Sequence, residues 1–121
     1  NYLTIKKNAK FIIGKNTYIT RATISVLEKV EIGENCILGE GMKIFDHNHQ
    51  YTREPFSVSK TDFVTASIKI GNNVWTGANC IILKGVTIGD NVILGAGCVV
   101  YKDIPANSIV INKQEQIIRN L

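Results

Sequence analysis

Residues 70–105 read IGNNVW, TGANCI, ILKGVT, IGDNVI, LGAGCV and VYKDIP, which are six consecutive blocks of six residues. The first position is aliphatic in five of the six blocks, and the fifth is always apolar and either small or β-branched. An α-helix is excluded because a 3.6-residue period would spread these positions over every face, and Gly and β-branched residues weaken helices. The repeat therefore predicts short strands joined by tight turns.

Three blocks of six residues are expected to close one triangular coil, so that residues 18 apart stack at the spacing of about 4.8 Å found in parallel sheets. Gly and Asn in the segments 71–73 and 89–91 tolerate positive φ and are expected at the corners. Three pairs are predicted to stack in the core: Val74 on Val92, Cys80 on Cys98, and Val86 on Ile104.

The repeat continues upstream and is interrupted once. First positions recur at Val26, Ile32, Leu38 and Ile44, and fifth positions at Val30, Cys36 and Met42, while Ile13 and Ile19 begin two further blocks offset by one residue. Between residues 45 and 67 a polar segment replaces the repeat and is predicted to be an extruded, functional loop. The pattern predicts one all-β solenoid domain over residues 1–121, with four to five coils and a C-terminal tail at 106–121.

Composition limits the classes of function. The chain has 121 residues and a formal net charge of +4, with 45% hydrophobic and 20% charged residues. The basic residues are scattered, which does not favour a nucleic-acid site, whereas a phosphorylated cofactor fits the charge. No apolar run is long enough to cross a bilayer, and no secretion signal follows Asn1. Three cysteines without paired spacing argue against disulfides or a Cys-based zinc site, and favour the cytoplasm.

The stretches 70–77, 83–97 and 100–105 resemble the hexapeptide-repeat acyltransferase family. The resemblance implies a left-handed parallel β-helix, a homotrimer and acetyl-CoA as the acetyl donor. The handedness comes from the resemblance alone, since crossovers between parallel strands are otherwise right-handed. The similar branch contains galactoside, maltose, xenobiotic and bacterial surface-polysaccharide acetyltransferases.

Within that branch a His on the extruded loop is the general base, and the resemblance assigns this role to His47. His47 lies where the loop leaves the coil, whereas His49 lies two residues further along. A neutral imidazole removes the proton of an acceptor hydroxyl near neutral pH. Asp46, Asp62, Glu54 or a backbone carbonyl can hold the second ring nitrogen, and the sequence does not choose among them.

The two histidines have two other interpretations. Polar-loop histidines are often simply solvated, and γ-class carbonic anhydrases share this fold and bind metal through His. Such a metal site needs a third His, and this chain has only two. No metal is therefore predicted.

The resemblance also implies a cofactor groove between subunits. Trp75, at the sixth block position and so at a coil edge, would lie beside the catalytic His of an adjacent subunit; subunit packing is its simpler role. Gly77 and Ala78 would let the pantetheine arm approach the backbone, with one N–H facing the thioester oxygen. Gly95 and Ala96 would extend the groove by one coil, although turns of the repeat use Gly in any case.

At the nucleotide end, Tyr101 and Lys102 match the segment that meets the adenine and the 3′-phosphate, with a solvated corner as the alternative for Lys102. Arg119 matches the second Arg of the family's exit segment, while Gln116 stands where the first is expected. Lys84 replaces a common Pro. The N-terminal helical segment of the galactoside and maltose enzymes is absent, which favours polysaccharide acceptors.

These features predict an acetyl-CoA-dependent O-acetyltransferase acting on a hydroxyl of a bacterial capsule or lipopolysaccharide sugar. Direct transfer in a ternary complex is favoured because Cys80 and Cys98 fall in the inward row and act as small hydrophobes. The alternatives are xenobiotic or small-sugar O-acetylation, N-acetylation of an amino sugar, and a non-enzymatic solenoid used for assembly.

Overall fold

The computed structural model describes residues 1–121, in which sixteen strands and no helix occur. Three parallel sheets form the faces of a prism. Face 1 contains β1 (Tyr2–Ile5), β4 (Thr23–Val26), β7 (Lys43–Phe45), β12 (Ile81–Ile82) and β15 (Val99–Val100). Face 2 contains β2 (Lys10–Ile13), β5 (Lys29–Ile32), β10 (Ile68–Ile70) and β13 (Thr87–Ile88). Face 3 contains β3 (Tyr18–Ile19), β6 (Ile37–Leu38), β11 (Trp75–Thr76), β14 (Val92–Leu94) and β16 (Ser108–Val110).

The chain visits faces 1, 2 and 3 in turn, and each circuit is one coil. Coils 1 to 5 begin at β1, β4, β7, β12 and β15. All pairings between coils are parallel, so the predicted parallel β-helix is confirmed. No helix is present that could cross a membrane.

The core consists of the two repeat positions that the sequence singles out. Twenty buried hydrophobic side chains form one cluster, and the first and fifth positions from Val26 onward supply nearly all of them. Trp75 pairs with Ile93 and Ile81 with Val99, which confirms the 18-residue spacing that stacks the preceding residues, Val74 on Val92 and Cys80 on Cys98.

The predicted stacking of Val86 on Ile104 is wrong. Ile104 bridges to Ile88 instead, and Ser108 pairs with Val92, so both partners are 16 residues apart. The last coil is two residues shorter than those before it on this side, and Ile104 is consequently only partly buried.

The corners turn at Asn or Gly in the fourth block position. Asn73, Asn79, Gly85, Asn91 and Gly97 all have positive φ, between 57° and 79°. Gly71 and Gly89 were expected to supply positive φ at the turns, but their φ angles are not positive. Their role is close approach, because a Cβ on Gly71 would lie 2.8 Å from the carbonyl carbon of Gly89. Second-position Gly therefore lets coils stack, while fourth-position Asn or Gly bends the chain.

The interruption is a β-hairpin, not an irregular loop. It consists of β8 (His47–Arg53) and β9 (Phe56–Thr65), which pair antiparallel. The hairpin leaves coil 3 after β7 and returns into β10. Most of its side chains are exposed, and β8, HNHQYTR, lacks the alternation of apolar and polar residues that identifies a half-buried strand in a sequence. In the C-terminal tail, β16 completes face 3, and residues 111–121 have no regular structure.

Candidate active site

Asp46 fixes the base of the hairpin. Its side chain is buried, and its carboxylate accepts hydrogen bonds from the backbone N–H groups of Leu27 (2.9 Å), Glu28 (2.8 Å) and Lys29 (2.9 Å). These three groups form the corner between faces 1 and 2 in coil 2, directly above Asp46 in coil 3. One carboxylate thus satisfies three corner amides and anchors the point where the hairpin departs.

His47 is oriented by the same carboxylate. Its Nδ1 lies 2.9 Å from Oδ1 of Asp46, and its side chain is 15% exposed. A carboxylate only accepts hydrogen bonds, so Nδ1 carries the proton and Nε2 of the neutral ring keeps its lone pair. The orienting group that the sequence left open is Asp46. This geometry gives His47 a free basic nitrogen with limited access to water.

Phe63 contacts both histidines. Its ring centroid lies 5.4 Å from that of His47 with the planes at 87°, and 4.7 Å from that of His49. His49 Nδ1 donates to the carbonyl of Ser59 at 2.8 Å, and its ring is exposed. The two imidazoles therefore share an aromatic neighbour, but only His47 is held by a buried carboxylate. Sequence reasoning missed Phe63, which only the antiparallel pairing of β8 and β9 brings near.

Glu28 ties down the returning strand of the hairpin. Its carboxylate accepts hydrogen bonds from the hydroxyls of Ser67 and of Thr65, the latter at 2.8 Å. These bonds hold the pKa of Glu28 below its usual value, with the Ser67 hydroxyl the larger cause. We call these two hydrogen bonds of Glu28 the Glu28 clamp. Because Thr65 is the cross-strand partner of His47, the clamp holds the residue that lies opposite the imidazole. Sequence reasoning missed Glu28 because its partners are 37 and 39 residues away.

The prediction that Trp75 lies at a coil edge is wrong. Trp75 lies on strand β11 of face 3, with 55% of its surface exposed. His47 lies at the corner between faces 1 and 2, opposite face 3, so one chain does not bring the two residues together. Trp75 belongs instead to an outward ladder of large apolar residues that runs along face 3 through all five coils. The ladder consists of Tyr18, Ile37, Trp75, Ile93 and Ile109, each paired with the next across the sheet.

The four small residues of the predicted cofactor groove lie together at the corner between faces 3 and 1. Gly77 and Ala78 stack on Gly95 and Ala96 of the next coil, and a Cβ on Gly77 would lie 2.7 Å from the Ala96 nitrogen. The N–H groups of both glycines donate to carbonyls of the following coil, at 2.8 Å. Ala78 and Ala96 are exposed residues, and their backbone N–H groups make no hydrogen bond within the chain. The available donors at this corner therefore belong to the alanines.

Tyr101 and Lys102 lie at the corner between faces 1 and 2 in coil 5, the same corner as His47 but two coils further on. Both are exposed and line a small pocket of about 140 Å³ together with Asn112 of the tail. Lys102 makes no ion pair within the chain. Arg119 is exposed in the tail and does not line this pocket. The structure thus groups Tyr101 with Lys102 and leaves Arg119 apart.

The three thiols face the core. Cys36, Cys80 and Cys98 are free and buried, and desolvation raises the pKa of Cys80. A buried thiol with a raised pKa is a poor nucleophile at neutral pH. No group of three or more His, Cys, Asp or Glu side chains is assembled in a way that could hold a metal ion.

Comparison with known proteins identifies the repeat. Residues 67–102 match the family described as bacterial transferase hexapeptide (six repeats). This match confirms the resemblance seen in the sequence, because residues 67–102 carry the repeat of that family. Three solved structures of acetyltransferases resemble this hexapeptide-repeat chain over nearly its whole length.

A galactoside acetyltransferase in complex with coenzyme A is 32% identical, with a TM-score of 0.77, over 97% of this chain and 58% of that one. A hexapeptide-repeat acetyltransferase from Vibrio cholerae, complexed with acetyl coenzyme A, is 25% identical, with a TM-score of 0.79, over 98% and 64%. A polysialic acid O-acetyltransferase is 27% identical, with a TM-score of 0.79, over 97% and 56%. The hexapeptide-repeat chain therefore spans less than two thirds of the length of each.

Proposed function

We propose that this protein is an acetyl-CoA-dependent O-acetyltransferase that modifies a sugar hydroxyl of a bacterial surface polysaccharide. The observation that carries the proposal is the Asp46–His47 pair, in which a buried carboxylate fixes Nδ1 and leaves Nε2 free. The similarity to acetyltransferases complexed with acetyl coenzyme A and coenzyme A supports the donor. The similarity to a polysialic acid O-acetyltransferase supports the class of acceptor.

In the proposed reaction, Nε2 of His47 removes the proton from the acceptor hydroxyl as its oxygen attacks the thioester carbonyl carbon. The new C–O bond forms, the C–S bond breaks, and the imidazolium returns the proton to the departing thiolate. Asp46 stabilises the imidazolium and keeps the ring in one orientation. Within one chain Ala78 and His47 lie at different corners of the prism, so the unpaired N–H of Ala78 is proposed to come from a neighbouring subunit. It donates a hydrogen bond to the thioester oxygen as negative charge develops there.

The donor is proposed to bind along the small-residue corner, with its pantetheine arm against Gly77, Ala78, Gly95 and Ala96. Tyr101 and Lys102 lie at the same corner as His47 and not at the small-residue corner, so those of the adjacent subunit that supplies His47 are proposed to meet the adenine and the 3′-phosphate. Arg119 is proposed to add a second cation from the tail. An unpaired ammonium such as that of Lys102 is a suitable phosphate partner.

The active form is proposed to be a homotrimer in the cytoplasm, built from one β-helix domain per subunit. The outward ladder on face 3 supports this assembly, because a row of large apolar side chains that crosses five coils favours burial against another copy. Assembly also supplies what one chain lacks, since Trp75 and His47 lie on opposite sides of the prism. The Trp75 of one subunit would then line the site of its neighbour, and catalysis requires the assembly.

The test is acetyl transfer by the purified protein with acetyl-CoA and a panel of capsule oligosaccharides, antibiotics and amino sugars, measured as release of free thiol. The His47→Ala variant is expected to fold and to lose about 10²- to 10⁴-fold in kcat, the usual contribution of a general base. His49→Ala is the matched control and is expected to lose far less. The acidic limb of the kcat/KM profile, caused by protonation of the base, is expected to disappear in His47→Ala.

Each alternative has its own outcome in this experiment. Transfer to amino sugars or antibiotics alone would replace the proposed acceptor. Exchange of the two losses would make His49 the base, and a loss below about tenfold in both variants would refute general-base catalysis by either residue. A protein that releases no thiol with any acceptor would favour the non-enzymatic solenoid.

A further inference from the structure

A second cavity lies between the hairpin and coil 4. It measures about 410 Å³ and is lined by Asn48, His49, Gln50, Tyr51, Val64 and Lys84. Lys84 lies at the corner between β12 and β13, in the coil after the one that carries the hairpin. The next residue, Gly85, donates its N–H to the carbonyl of Ala66 at 3.1 Å. This hydrogen bond joins the returning end of the hairpin to the corner that carries Lys84.

The cavity has the chemistry of a site for an acidic sugar. The ammonium of Lys84 is the only group with a permanent charge among its lining side chains, and no carboxylate lines it. Lys84 is partly buried and makes no ion pair and no side-chain hydrogen bond within the chain. Two amides, a phenol and an imidazole supply neutral donors and acceptors, and Val64 supplies an apolar contact. Hydroxyls, a ring face and one anion would satisfy all of these groups.

The position of the cavity links it to the proposed acceptor. Asn48 and His49 directly follow His47 on β8, and the Phe63 ring contacts the imidazoles of both His47 and His49. A glycan long enough to reach His47 with one sugar can place a neighbouring sugar beside the following residues of the hairpin. A partly desolvated ammonium without a partner binds an anion more strongly than an exposed one does.

We propose that this cavity binds a carboxylated sugar of the acceptor glycan, with the carboxylate on Lys84. This inference rests on the proposed acetyltransferase function and narrows its acceptor to an acidic polysaccharide. Lys84 acts as a specificity residue that holds the glycan and takes no part in proton transfer. Its contribution should be equal in the bound substrate and in the transition state, so it affects KM rather than kcat.

The experiment uses two acidic probes, a sialic acid oligomer and a galacturonic acid oligomer, each compared with its methyl ester. Calorimetry measures their binding to the parent protein and to Lys84→Met, Lys84→Arg and the control Lys60→Met, which removes an exposed hairpin charge outside the cavity. We expect at least one acid to bind the parent about 10- to 100-fold more tightly than its ester, the range for a hydrogen bond between charged groups. Lys84→Met should abolish this preference, Lys84→Arg should restore most of it, and Lys60→Met should leave it unchanged.

Acetyl transfer measured on the same probes separates this inference from the proposed function. Binding that depends on Lys84 without any acetyl transfer would support the site and contradict the acetyltransferase proposal. Acetyl transfer without a preference for acids, or equal losses for acid and ester in Lys84→Met, would overturn the inference and leave the function standing. A parallel loss of coenzyme A affinity in Lys84→Met would also overturn it, because Lys84 would then serve the donor.

Discussion

The coils and the hairpin are held in place by different means. Each coil is fixed by its neighbours through parallel backbone hydrogen bonds and rows of buried side chains, repeated at equivalent positions. The hairpin is largely exposed, and its side-chain ties to coil 2 are the carboxylates of Asp46 and Glu28. The coils therefore distribute stability over many equivalent contacts, whereas the position of the His47 imidazole depends on a few contacts that occur only once.

The largest effect is expected where the two regions join. In Asp46→Asn the side-chain amide can donate a hydrogen bond to the imidazole, so the proton of the ring is no longer fixed on Nδ1. The amide also accepts fewer hydrogen bonds than the carboxylate does from the Leu27–Lys29 corner. We expect kcat to fall by about 10² to 10⁴-fold, as in other sites where an orienting carboxylate is replaced by an amide. Kinetics measures this loss, and urea unfolding measures the accompanying loss of stability, about 1–3 kcal/mol.

Asp62→Asn is the matched control, because Asp62 is an exposed hairpin carboxylate that does not contact His47. Asp62→Asn should change neither kcat nor the free energy of unfolding. A kcat for Asp46→Asn within threefold of the parent value would show that the imidazole does not need the carboxylate.

Substitutions on the outer surface of the coils are expected to reduce activity less than Asp46→Asn does, but to change the oligomeric state. Ile37→Lys places a charge within the face 3 ladder, next to its central residue Trp75, and should dissociate the proposed trimer. Ile12→Lys makes the same change on face 2, beside Glu31, and should leave assembly intact. Sedimentation of both variants measures the assembly. Activity should fall at least about tenfold with dissociation, since Trp75 and His47 would no longer share a site; a fully active monomer would refute the shared site.

The smallest effect is expected at Glu28, whose carboxylate is exposed. Because the pKa of Glu28 is lowered in the folded protein, its stabilising contribution is present above the usual Glu value and is lost as pH falls through the lowered one. Glu28→Gln should therefore weaken hairpin attachment near neutral pH and remove part of the acid dependence. Hydrogen exchange of the β9 amides, followed as a function of pH, measures the attachment of the hairpin, with Glu34→Gln as the control. Equal acid dependence in parent and Glu28→Gln proteins would contradict the clamp.

The same contrast explains what could be predicted from the sequence. The inward rows, including Cys80 and Cys98, follow from a period that one short stretch displays many times. The roles of Asp46 and Glu28 do not, because each contact joins residues 17 to 39 positions apart and occurs once. The sequence places Asp46 next to His47, but choosing Asp46 over Asp62 or Glu54 as the orienting carboxylate required knowing which of the three is buried. The register of coil 5 also escaped prediction, since a coil shortened by two residues still has apolar residues in the expected places.

The hairpin also affects the order in which the chain assembles. Paired residues in coils 3 and 4 of face 2, such as Lys69 and Thr87, are 18 positions apart, whereas Ile37 and Trp75 are 38 apart because the hairpin intervenes. Doubling a loop adds about 0.6 kcal/mol to the cost of closing it. A hairpin pairs residues that are close in sequence, and once formed it brings Phe45 and Ile68 near each other. The segment that is most peripheral in the finished protein is therefore expected to form early, before the two halves of the solenoid join.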